Sequence, residues 1–571
     1  MVELPSILRK LKVKPRESGK GGRAEQSSNK KEEVERLIEK EMEAERETAF
    51  KLFISAPLSS SATTFLRQKG IKVVESYPLY EPWAKAYIVE NLETKRVIYL
   101  VDEIPLNEQE IKIFNEIMDV LSWQMRYVSG EPELIRKEFI NQAKDVIFKY
   151  RIRLGRTPGI LWSKILYYVE RETIGFGPID PLIKDPNIED ISCDGIRRPV
   201  YIWHRRYEYI PTNVFFNDED ELNSFLLKLA HKAGKHLSVA FPILDAILPG
   251  GHRVAATYSR EVSTSGSTFT IRKFREDPIT IADLIAWRTL SPDIAAYLWM
   301  SVEHKMTGLV LGVTGAGKTS MLNALATLLR PTVKVVTIED TPELKLPIDN
   351  WVQLVSRPSY GLGSEKIGEV SLYDLIKVAL RYRPDVIIVG EVRGEEAYVL
   401  FQAIATGHGG ITTMHAEHID AAVKRLTSPP MNIPPSYIPL MNFAIVIRRV
   451  QIGEKISRRI TNVWEVEDYG KYIEVARWIP SKDEFELDVG VSSLLKDYAM
   501  WRGWDDELMA IDELKKRSRI LLSLAASGKR NYREVADVIH RYYVNPNRVY
   551  EEAMDVLSKL RIREAEKPEV P

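Results

Sequence analysis

Short apolar runs separated by polar residues occupy the chain between residues 48 and 157. The runs IKVVESY, AKAYIVEN and RVIYLVDEI are rich in the β-branched and aromatic residues that favour strands. In NEQEIKIFNEIMDVLSWQM and ELIRKEFINQAKDVIFKYRI, apolar residues recur at the spacing of an amphipathic helix. The pattern predicts an α+β domain over residues 48–157.

A second pattern covers residues 158–276. The segment GFGPIDPLIKDPNIEDISCDG places turn residues around short apolar pieces, PVYIWHRRYEYI is typical of a hairpin, and ELNSFLLKLAHKAGKHL is typical of a helix. Two further strands are predicted in GHRVAATYSREVSTSGSTFTIRKF, and they carry Arg253 and Arg272. The pattern predicts a second α+β domain.

Continuous apolar runs replace the alternating pattern after a short connector at Asp277-Pro278, for which we predict residues 277–284. Such runs, here LVLG, VKVVTIED and PDVIIVGEVRG, are typical of parallel strands buried on both faces. They predict an α/β domain over residues 285–484. Residues 485–571 are mostly charged amphipathic helix, which either packs on the α/β domain or binds a partner.

The N-terminal residues 1–47 have little that could be buried. Residues 1–30 are rich in Lys, Arg, Ser and Gly, which predicts a flexible basic tail that is either solvated or docked on acidic lipid or protein. Residues 31–47 predict a charged, largely exposed helix.

Composition narrows the function classes. Among 571 residues, Lys plus Arg is 80 and Asp plus Glu is 80, so the formal net charge is zero and no nucleic-acid partner is expected. The single cysteine, Cys193, excludes a disulfide within the chain and a cysteine zinc cluster, and it fits a reducing compartment. The N-terminus lacks a signal-peptide pattern, and no stretch approaches the roughly 20 apolar residues that cross a bilayer. We therefore expect a cytoplasmic location.

The segment GVTGAGKT at residues 312–319 matches the phosphate-binding P-loop, or Walker A, pattern GxxxxGK[ST] at every defined position. A predicted strand precedes it and the predicted helix SMLNALATLL follows, so its glycines can turn backbone N–H groups toward phosphate oxygens. Lys318 is expected to reach the β- and γ-phosphates of ATP, and the Thr319 hydroxyl to bind Mg²⁺. The residues expected to contact the nucleotide are Gly312, Thr314, Gly315, Ala316, Gly317, Lys318, Thr319 and Ser320.

Two further predicted strands end in acidic residues, Glu339 and Asp340 on one and Glu391 on the other. Since ligands of open α/β sheets lie at the carboxyl ends of the strands, these carboxylates are expected near the P-loop rather than as simple loop caps. Gly390 stands where many P-loop ATPases have Asp, so the carboxylate at the metal is either Asp340 or Glu391.

The segment ATGHGGITTMHAEH contains His408 and His415. Zinc is a poor explanation, because a third ligand is missing and the glycine pair disfavours a helix. Contact with phosphate or with a neighbouring domain fits better than a purely structural role, since an imidazole can donate hydrogen bonds to phosphate.

Taken together, GVTGAGKTS, TIEDTPEL, IIVGEVRGEEA and TGHGGITTMHA, in that order, resemble the secretion ATPase superfamily of type II secretion, type IV pili, type IV secretion and the archaellum. The resemblance extends upstream through GFGPIDPLIKDPNIEDISCDG and covers about residues 158–466. With IEDTPEL and DISCDG, the chain is most similar to archaeal members, and the tetracysteine zinc insert of some bacterial relatives is missing.

The resemblance implies the fold and the partners. The fold class is α/β: a RecA-like P-loop ATPase domain, an α+β PAS-like N-terminal domain at residues 158–276, an additional N-terminal α+β unit and a helical C-terminal tail. Six protomers form a ring and work on a polytopic membrane platform protein, so peripheral membrane association is expected.

The resemblance also implies roles for particular residues. Glu339 and Glu391 are the catalytic acids, and His408 and His415 mark a histidine box. Arg253 and Arg272 match arginines that reach the nucleotide from the N-terminal domain.

The expected function is an ATP-hydrolysing motor, a hexamer, for an archaeal type IV pilus-like filament, an archaellum or a type II/IV secretion system. A nucleic-acid translocase of the RecA-like class is the alternative, although no aromatic and basic stripe accompanies the motifs. A scaffold that binds ATP without turnover is disfavoured by Lys318, Glu339 and Glu391.

Overall fold

A computed structural model describes Leu66 and residues 70–124, 132–150, 158–275, 277–357, 368–453 and 455–565 of the chain. The basic tail and charged helix predicted for residues 1–47 lie outside the described residues. Two compact units divide the chain, Met1–Lys273 and Phe274–Pro571. Each unit is built around its own nine-stranded sheet.

The sheet of the first unit has the order β1-β2-β3-β6-β5-β4-β9-β8-β7. Its strands are β1 (Ile71–Tyr80), β2 (Ala84–Asn91), β3 (Val97–Glu103), β4 (Ile188–Cys193), β5 (Pro199–His204), β6 (Glu208–Phe215), β7 (Ile243–Ile247), β8 (Arg253–Thr257) and β9 (Thr268–Arg272). All neighbours pair antiparallel except β3 and β6. The strands predicted from short apolar runs are confirmed.

The junction between β3 and β6 is made largely by side chains. Among the described residues, the two strands pair in parallel at one position, Tyr99 with Thr212. The amide of Asn213 extends the pairing, because its Oδ1 accepts from the Val101 N–H at 2.8 Å and its Nδ2 donates to the Val101 carbonyl at 2.8 Å. The hydroxyls of Tyr77 and Tyr99 both donate to the buried Asp185 carboxylate at 2.6 Å.

Strands from both predicted N-terminal domains thus share one sheet and one core. Ile88 and Tyr99 belong to the same buried cluster as Ile202 and Phe269. The division at residue 157 and the PAS-like character of residues 158–276 stay predictions.

Five helices flank this sheet in the described residues. They are α1 (Glu108–Gln124), α2 (Pro132–Tyr150), α3 (Pro158–Glu172), α4 (Asp180–Lys184) and α5 (Glu219–Lys232). The predicted helix α5 starts at Asp218, whose side chain accepts the Glu221 N–H and so caps the helix N-terminus.

The sheet of the second unit has the order β12-β11-β13-β14-β10-β15-β16-β17-β18. Its strands are β10 (Gly308–Leu311), β11 (Val335–Glu339), β12 (Trp351–Val355), β13 (Val386–Val389), β14 (Gly409–Met414), β15 (Phe443–Ile452), β16 (Lys455–Asp468), β17 (Lys471–Ile479) and β18 (Glu484–Leu487). β10 to β15 are parallel, and β16 to β18 continue the sheet antiparallel. The predicted RecA-like α/β domain is confirmed, with its parallel strands buried as continuous apolar runs.

Helices cover both faces of this sheet. They are α6 (Ile281–Ala286), α7 (Pro292–Glu303), α8 (Lys318–Ala326), α9 (Leu372–Arg381), α10 (Glu396–Ala405), α11 (Ile419–Leu426), α12 (Ser493–Trp501), α13 (Glu507–Ser527), α14 (Tyr532–Val544) and α15 (Pro546–Ala565). The connector predicted for residues 277–284 is shorter in the structure. Ile281 to Leu284 lie in the buried helix α6, which a capping box of Thr280 and Asp283 initiates.

The C-terminal helices pack on α7. Arg517 of α13 is fully buried and pairs with Glu303 of α7 at 2.5 Å and with Glu513 at 2.8 Å. Its guanidinium also lies over the Trp299 ring, 4.7 Å from the centroid. Of the two alternatives for residues 485–571, packing on the α/β domain is the one that these contacts support.

Candidate phosphate-binding site at the edge of the parallel sheet

The P-loop leaves the end of β10 and turns into α8 through two glycines in the left-handed region. Gly315 has φ +72° and Gly317, at the N-cap of α8, has φ +100°. A Cβ atom at Gly312 would lie 2.6 Å from the Ile447 carbonyl oxygen, so the close approach of β15 also requires glycine there. Val313, Thr314 and Gly315 are exposed. The loop therefore has the shape that the sequence predicts and an open outer side.

Lys318 opens α8 and is buried, with 8% of its surface exposed. Its Nζ donates to the Val313 carbonyl at 3.2 Å and lies 3.2 Å from His415 Nδ1. Burial lowers the pKa of Lys318, and the positive Arg393 lowers it further, whereas the Glu391 carboxylate acts in the opposite direction.

Glu391 and His415 follow β13 and β14, and β14 lies between β13 and β10 in the sheet. His415 Nε2 is 3.0 Å from Glu391 Oε1, so the imidazole lies between Lys318 and this carboxylate. The contact lacks hydrogen-bond geometry, and Glu391 Oε1 is a buried oxygen without a hydrogen-bond partner among the described residues. Burial and the neighbouring Lys318 lower the pKa of His415, which favours the neutral ring. The other oxygen, Glu391 Oε2, accepts from Arg393 at 2.5 Å.

Glu339 ends β11 and is 3% exposed. Its Oε1 accepts the N–H groups of Glu343 at 2.9 Å and Leu344 at 3.0 Å. Burial outweighs these bonds and raises the pKa of Glu339 to about 7. A Cβ atom at Gly390 would lie 3.3 Å from Glu339 Cγ, so glycine in place of the usual Asp gives this carboxylate its room.

The remaining predicted ligands lie at the same edge. Asp340 is exposed directly after β11, and its Oδ1 accepts from Ser356 Oγ at 2.8 Å. Thr319 and Ser320 follow Lys318 on α8 and are half-buried. In the part of the chain that the structure describes, the Thr319 hydroxyl has no hydrogen-bond partner and is available to a ligand.

His408 does not join this group. It precedes β14, whereas His415 follows it, so the six residues of β14 separate them by roughly 20 Å at about 3.3 Å per residue. His408 Nδ1 lies 3.0 Å from the Ala403 carbonyl at the end of α10. Of the two predicted histidines, only His415 therefore lies beside Lys318 and Glu391, and the role predicted for His408, contact with phosphate or with a neighbouring domain, stays a prediction.

Arg253 and Arg272 belong to the first unit, where they are direct cross-strand partners on β8 and β9. Both are exposed, and Arg253 forms an ion pair with Asp245 at 3.0 Å. Their repulsion is offset by acidic residues on the adjacent strands, Asp245 beside Arg253 and Asp190 opposite Arg272.

Three basic residues of the second unit were not expected at the site. Arg393 bonds Glu391, Arg425 donates to the His415 carbonyl, and Arg458 Nε donates to the Gly315 carbonyl at 3.4 Å. Arg393 stands two residues after Glu391 and is visible in the motif. Arg458 lies 143 residues from Gly315, and no local pattern marks it.

Residues 1–65 and the other gaps are left out of the next two statements. Among the residues that the structure describes, no group of three or more His, Cys, Asp or Glu side chains could hold a metal ion. None of the described helices is long and apolar enough to cross a membrane.

Known proteins resemble this chain over the same region. The family described as "Type II/IV secretion system protein" matches residues 172–447. An uncharacterized protein of Methanocaldococcus jannaschii is 35% identical over 462 residues, which are 80% of this chain and 82% of that protein. The type IV secretion system protein PtlH of Bordetella pertussis is 30% identical over 322 residues, with 48% and 90% covered. Among solved structures, the ATPase DotB of Legionella pneumophila has 16% identity and a TM-score of 0.40, with 64% and 94% covered.

The family match and the two relatives of 30% identity or more confirm the resemblance that the sequence motifs carry. All four motifs lie within the matched residues 172–447: the P-loop, TIEDTPEL, IIVGEVRGEEA and TGHGGITTMHA. Relatives at 30% identity or more are matched over 82% and 90% of their own lengths. The chain therefore belongs to the type II/IV secretion system protein family.

Proposed function

We propose that the protein is a Mg²⁺-dependent ATPase that converts ATP to ADP and phosphate. The observation that carries the proposal is the line of contacts from Lys318 through His415 to Glu391 beside the P-loop. A phosphate-binding cation and a carboxylate, one of whose oxygens is buried without a hydrogen-bond partner among the described residues, thereby lie at one edge of one sheet.

Each residue has a chemical role in this proposal. Lys318 and the N–H groups of the P-loop bind the phosphates, with the positive end of α8 behind them. Glu391 orients the attacking water and accepts its proton through Oε1, the oxygen without a partner among the described residues. The neutral His415 spaces Lys318 from Glu391 and can donate a hydrogen bond to phosphate.

The residues present fit a magnesium ion. Mg²⁺ prefers oxygen ligands and keeps several waters, so one or two protein ligands are enough. Thr319 offers a hydroxyl without a partner among the described residues, and Asp340 and Glu391 offer carboxylates at the same edge. Bound there, the ion would neutralise phosphate charge.

Glu339 is the second acid of the proposed site. Its backbone hydrogen bonds hold it against Gly390, directly before Glu391. With a pKa near 7, it changes charge close to neutral pH and can pass between donor and acceptor of hydrogen bonds to water.

For the whole protein, we propose a hexameric motor of a type IV pilus-like filament, an archaellum or a type II/IV secretion system. It would act from the cytoplasmic face of the membrane on a polytopic platform protein. Family membership supports the class of machine. In the same proposal Arg253 and Arg272 contact the nucleotide, since paired guanidinium groups suit a phosphate dianion.

The test of the ATPase is Lys318→Ala, measured by phosphate release with and without Mg²⁺. We expect turnover to fall about 100-fold or more, which is the scale for losing one transition-state contact. The matched control is Lys377→Ala, which removes an exposed lysine from α9. Wild-type turnover in Lys318→Ala, or turnover independent of Mg²⁺, would contradict the assignment.

A further inference from the structure

A second pocket lies next to the proposed ATPase site. Its volume is about 460 Å³, within the usual range for small-molecule sites. Its lining residues are Arg393, Ala421, Lys424, Arg425, Ser428, Pro429, Pro430 and Met431. It is thus formed by the last turn of α11, the loop after it and the segment that follows Glu391.

The lining of the pocket is basic. Its charged lining residues are two arginines and one lysine, without an acid among them, and one of the arginines, Arg393, is paired with Glu391. In the described part of the chain, Lys424 forms no ion pair, and the Arg425 guanidinium bonds only the His415 carbonyl. Two cations without an acidic partner favour an anion such as phosphate, and arginine offers paired donors that match phosphate oxygens.

Part of the pocket lining is apolar. Ala421, Pro429, Pro430 and Met431 form it, and Met431 is 2% exposed. The cavity therefore has room for a phosphate group and for a small organic part beside it.

Two residues connect the pocket to the proposed site. Arg393 lines the pocket and donates to Glu391 Oε2 at 2.5 Å. Arg425 lines it and donates to the carbonyl of His415. An anion in the pocket would compete with Glu391 for Arg393.

We propose that this pocket binds a phosphate group, either free or carried by a small organic molecule, and that its binding draws Arg393 away from Glu391. The second half of this statement rests on the proposed ATPase function. Without its guanidinium partner, Glu391 Oε2 becomes available to hydrogen-bond the attacking water, so the occupied pocket speeds ATP turnover. The pocket is then an activating site for a phosphate compound.

Binding is tested first, by titration calorimetry of the full chain without nucleotide at constant ionic strength. The probes are orthophosphate and glycerol 1-phosphate, with sodium chloride as the blank. To exclude phosphate in the P-loop, all proteins carry Lys318→Ala. We expect Lys424→Ala to weaken binding about tenfold or more, the equivalent of one charged contact of about 1.4 kcal/mol.

The control is Lys515→Ala. Lys515 is an exposed lysine of α13, and it forms no ion pair with the described residues. This substitution should leave binding unchanged. Binding of orthophosphate alone identifies free phosphate as the source, and binding of glycerol 1-phosphate identifies an organic phosphate. Failure of both probes to bind, or equal binding in Lys424→Ala and Lys515→Ala, would overturn the site.

Turnover is tested second, with Lys318 intact, saturating ATP and whichever probe binds. The probe should raise the rate in the wild type and in Lys515→Ala but not in Lys424→Ala. A probe that binds without changing the rate would overturn the link to Glu391. If the chain hydrolyses no ATP, the binding experiment still decides the pocket, so failure of the proposed function and failure of the site are distinguishable.

Discussion

Glu339 combines burial with three hydrogen-bond donors, and burial dominates. Besides the two backbone N–H groups, Gln353 Nε2 lies 3.3 Å from Oε2. The ordinary pKa of 4.5 rises to about 7. Between these two values the folded protein binds a proton at Glu339 more tightly than the unfolded chain does.

This difference predicts a pH effect on stability. The contribution of Glu339 is fully present below about pH 4.5 and is lost as pH rises through about 7. Glu339→Gln keeps an oxygen for the N–H groups but cannot ionise. It should therefore match the wild type near pH 4.5 and exceed its unfolding free energy at pH 8 by up to about 3 kcal/mol.

The measurement is urea unfolding of both proteins at several pH values, and the quantity of interest is their difference. Other titrating groups are common to the two proteins and cancel. A difference that stays constant from pH 4.5 to 8 would show that Glu339 is not the group whose pKa is raised.

The site residues that could be predicted are those that a short stretch of sequence identifies. Lys318 and Thr319 follow from the P-loop spacing, and Glu391 follows from the end of a buried strand. Arg458 could not be predicted, because β16 brings it to Gly315 from a distant part of the chain. His408 and His415 lie in one short segment of the sequence, but the extended strand β14 separates them in the structure.

At the scale of the elements, helix α13 buries a charged side chain, Arg517, against the α/β domain. Arg517 pairs with Glu303 and Glu513, and its Nη1 has no hydrogen-bond partner among the described residues. Burial raises the pKa of Glu303, but Arg517 and Arg330 outweigh it, so that pKa lies below its ordinary value. The element is held by a buried ion network as well as by apolar contacts.

Removing one member of such a network leaves buried charge unpaired. Arg517→Ala should therefore destabilise the protein by about 3 to 5 kcal/mol, measured by urea unfolding. Arg519→Ala, an exposed arginine of the same helix, should change stability by no more than about 0.5 kcal/mol. Equal effects of the two substitutions would contradict the role of the network.

The sequence pattern did not predict the buried ion network of α13. Residues 485–571 have the charged, amphipathic pattern of surface helices. Among the described residues, helices α12 to α15 cover most of this range, but residues 485–487 end strand β18. The burial of Arg517 depends on Glu303, which lies on the helix before β10. Local periodicity contains no information about such a pairing.

At the scale of the whole molecule, the groups that the second unit supplies to the proposed site lie at one edge of its sheet. The outer side of the P-loop, at Val313, Thr314 and Gly315, is exposed. A neighbouring copy could cover it, so we expect nucleotide to favour a ring, with six copies proposed.

Light scattering at micromolar concentration with a non-hydrolysable ATP analogue checks this expectation. The wild type should assemble with the analogue, and Lys318→Ala should not. Arg253→Ala and Arg272→Ala, in the same assay and in phosphate release, test their proposed contact with nucleotide. A monomer under every nucleotide condition would contradict the ring, and full activity of both arginine variants would remove them from the site.

The junction between β3 and β6 determines what it costs to open the sheet of the first unit. The strands on either side of it, β1 to β3 and β4 to β9, complete their hydrogen-bond ladders among themselves. Across the junction, the side chain of Asn213 makes the two hydrogen bonds to Val101 that backbone groups would make within a ladder. Opening at this junction therefore breaks few backbone hydrogen bonds, and its cost lies in the apolar core that Ile88 and Tyr99 share with Ile202 and Phe269.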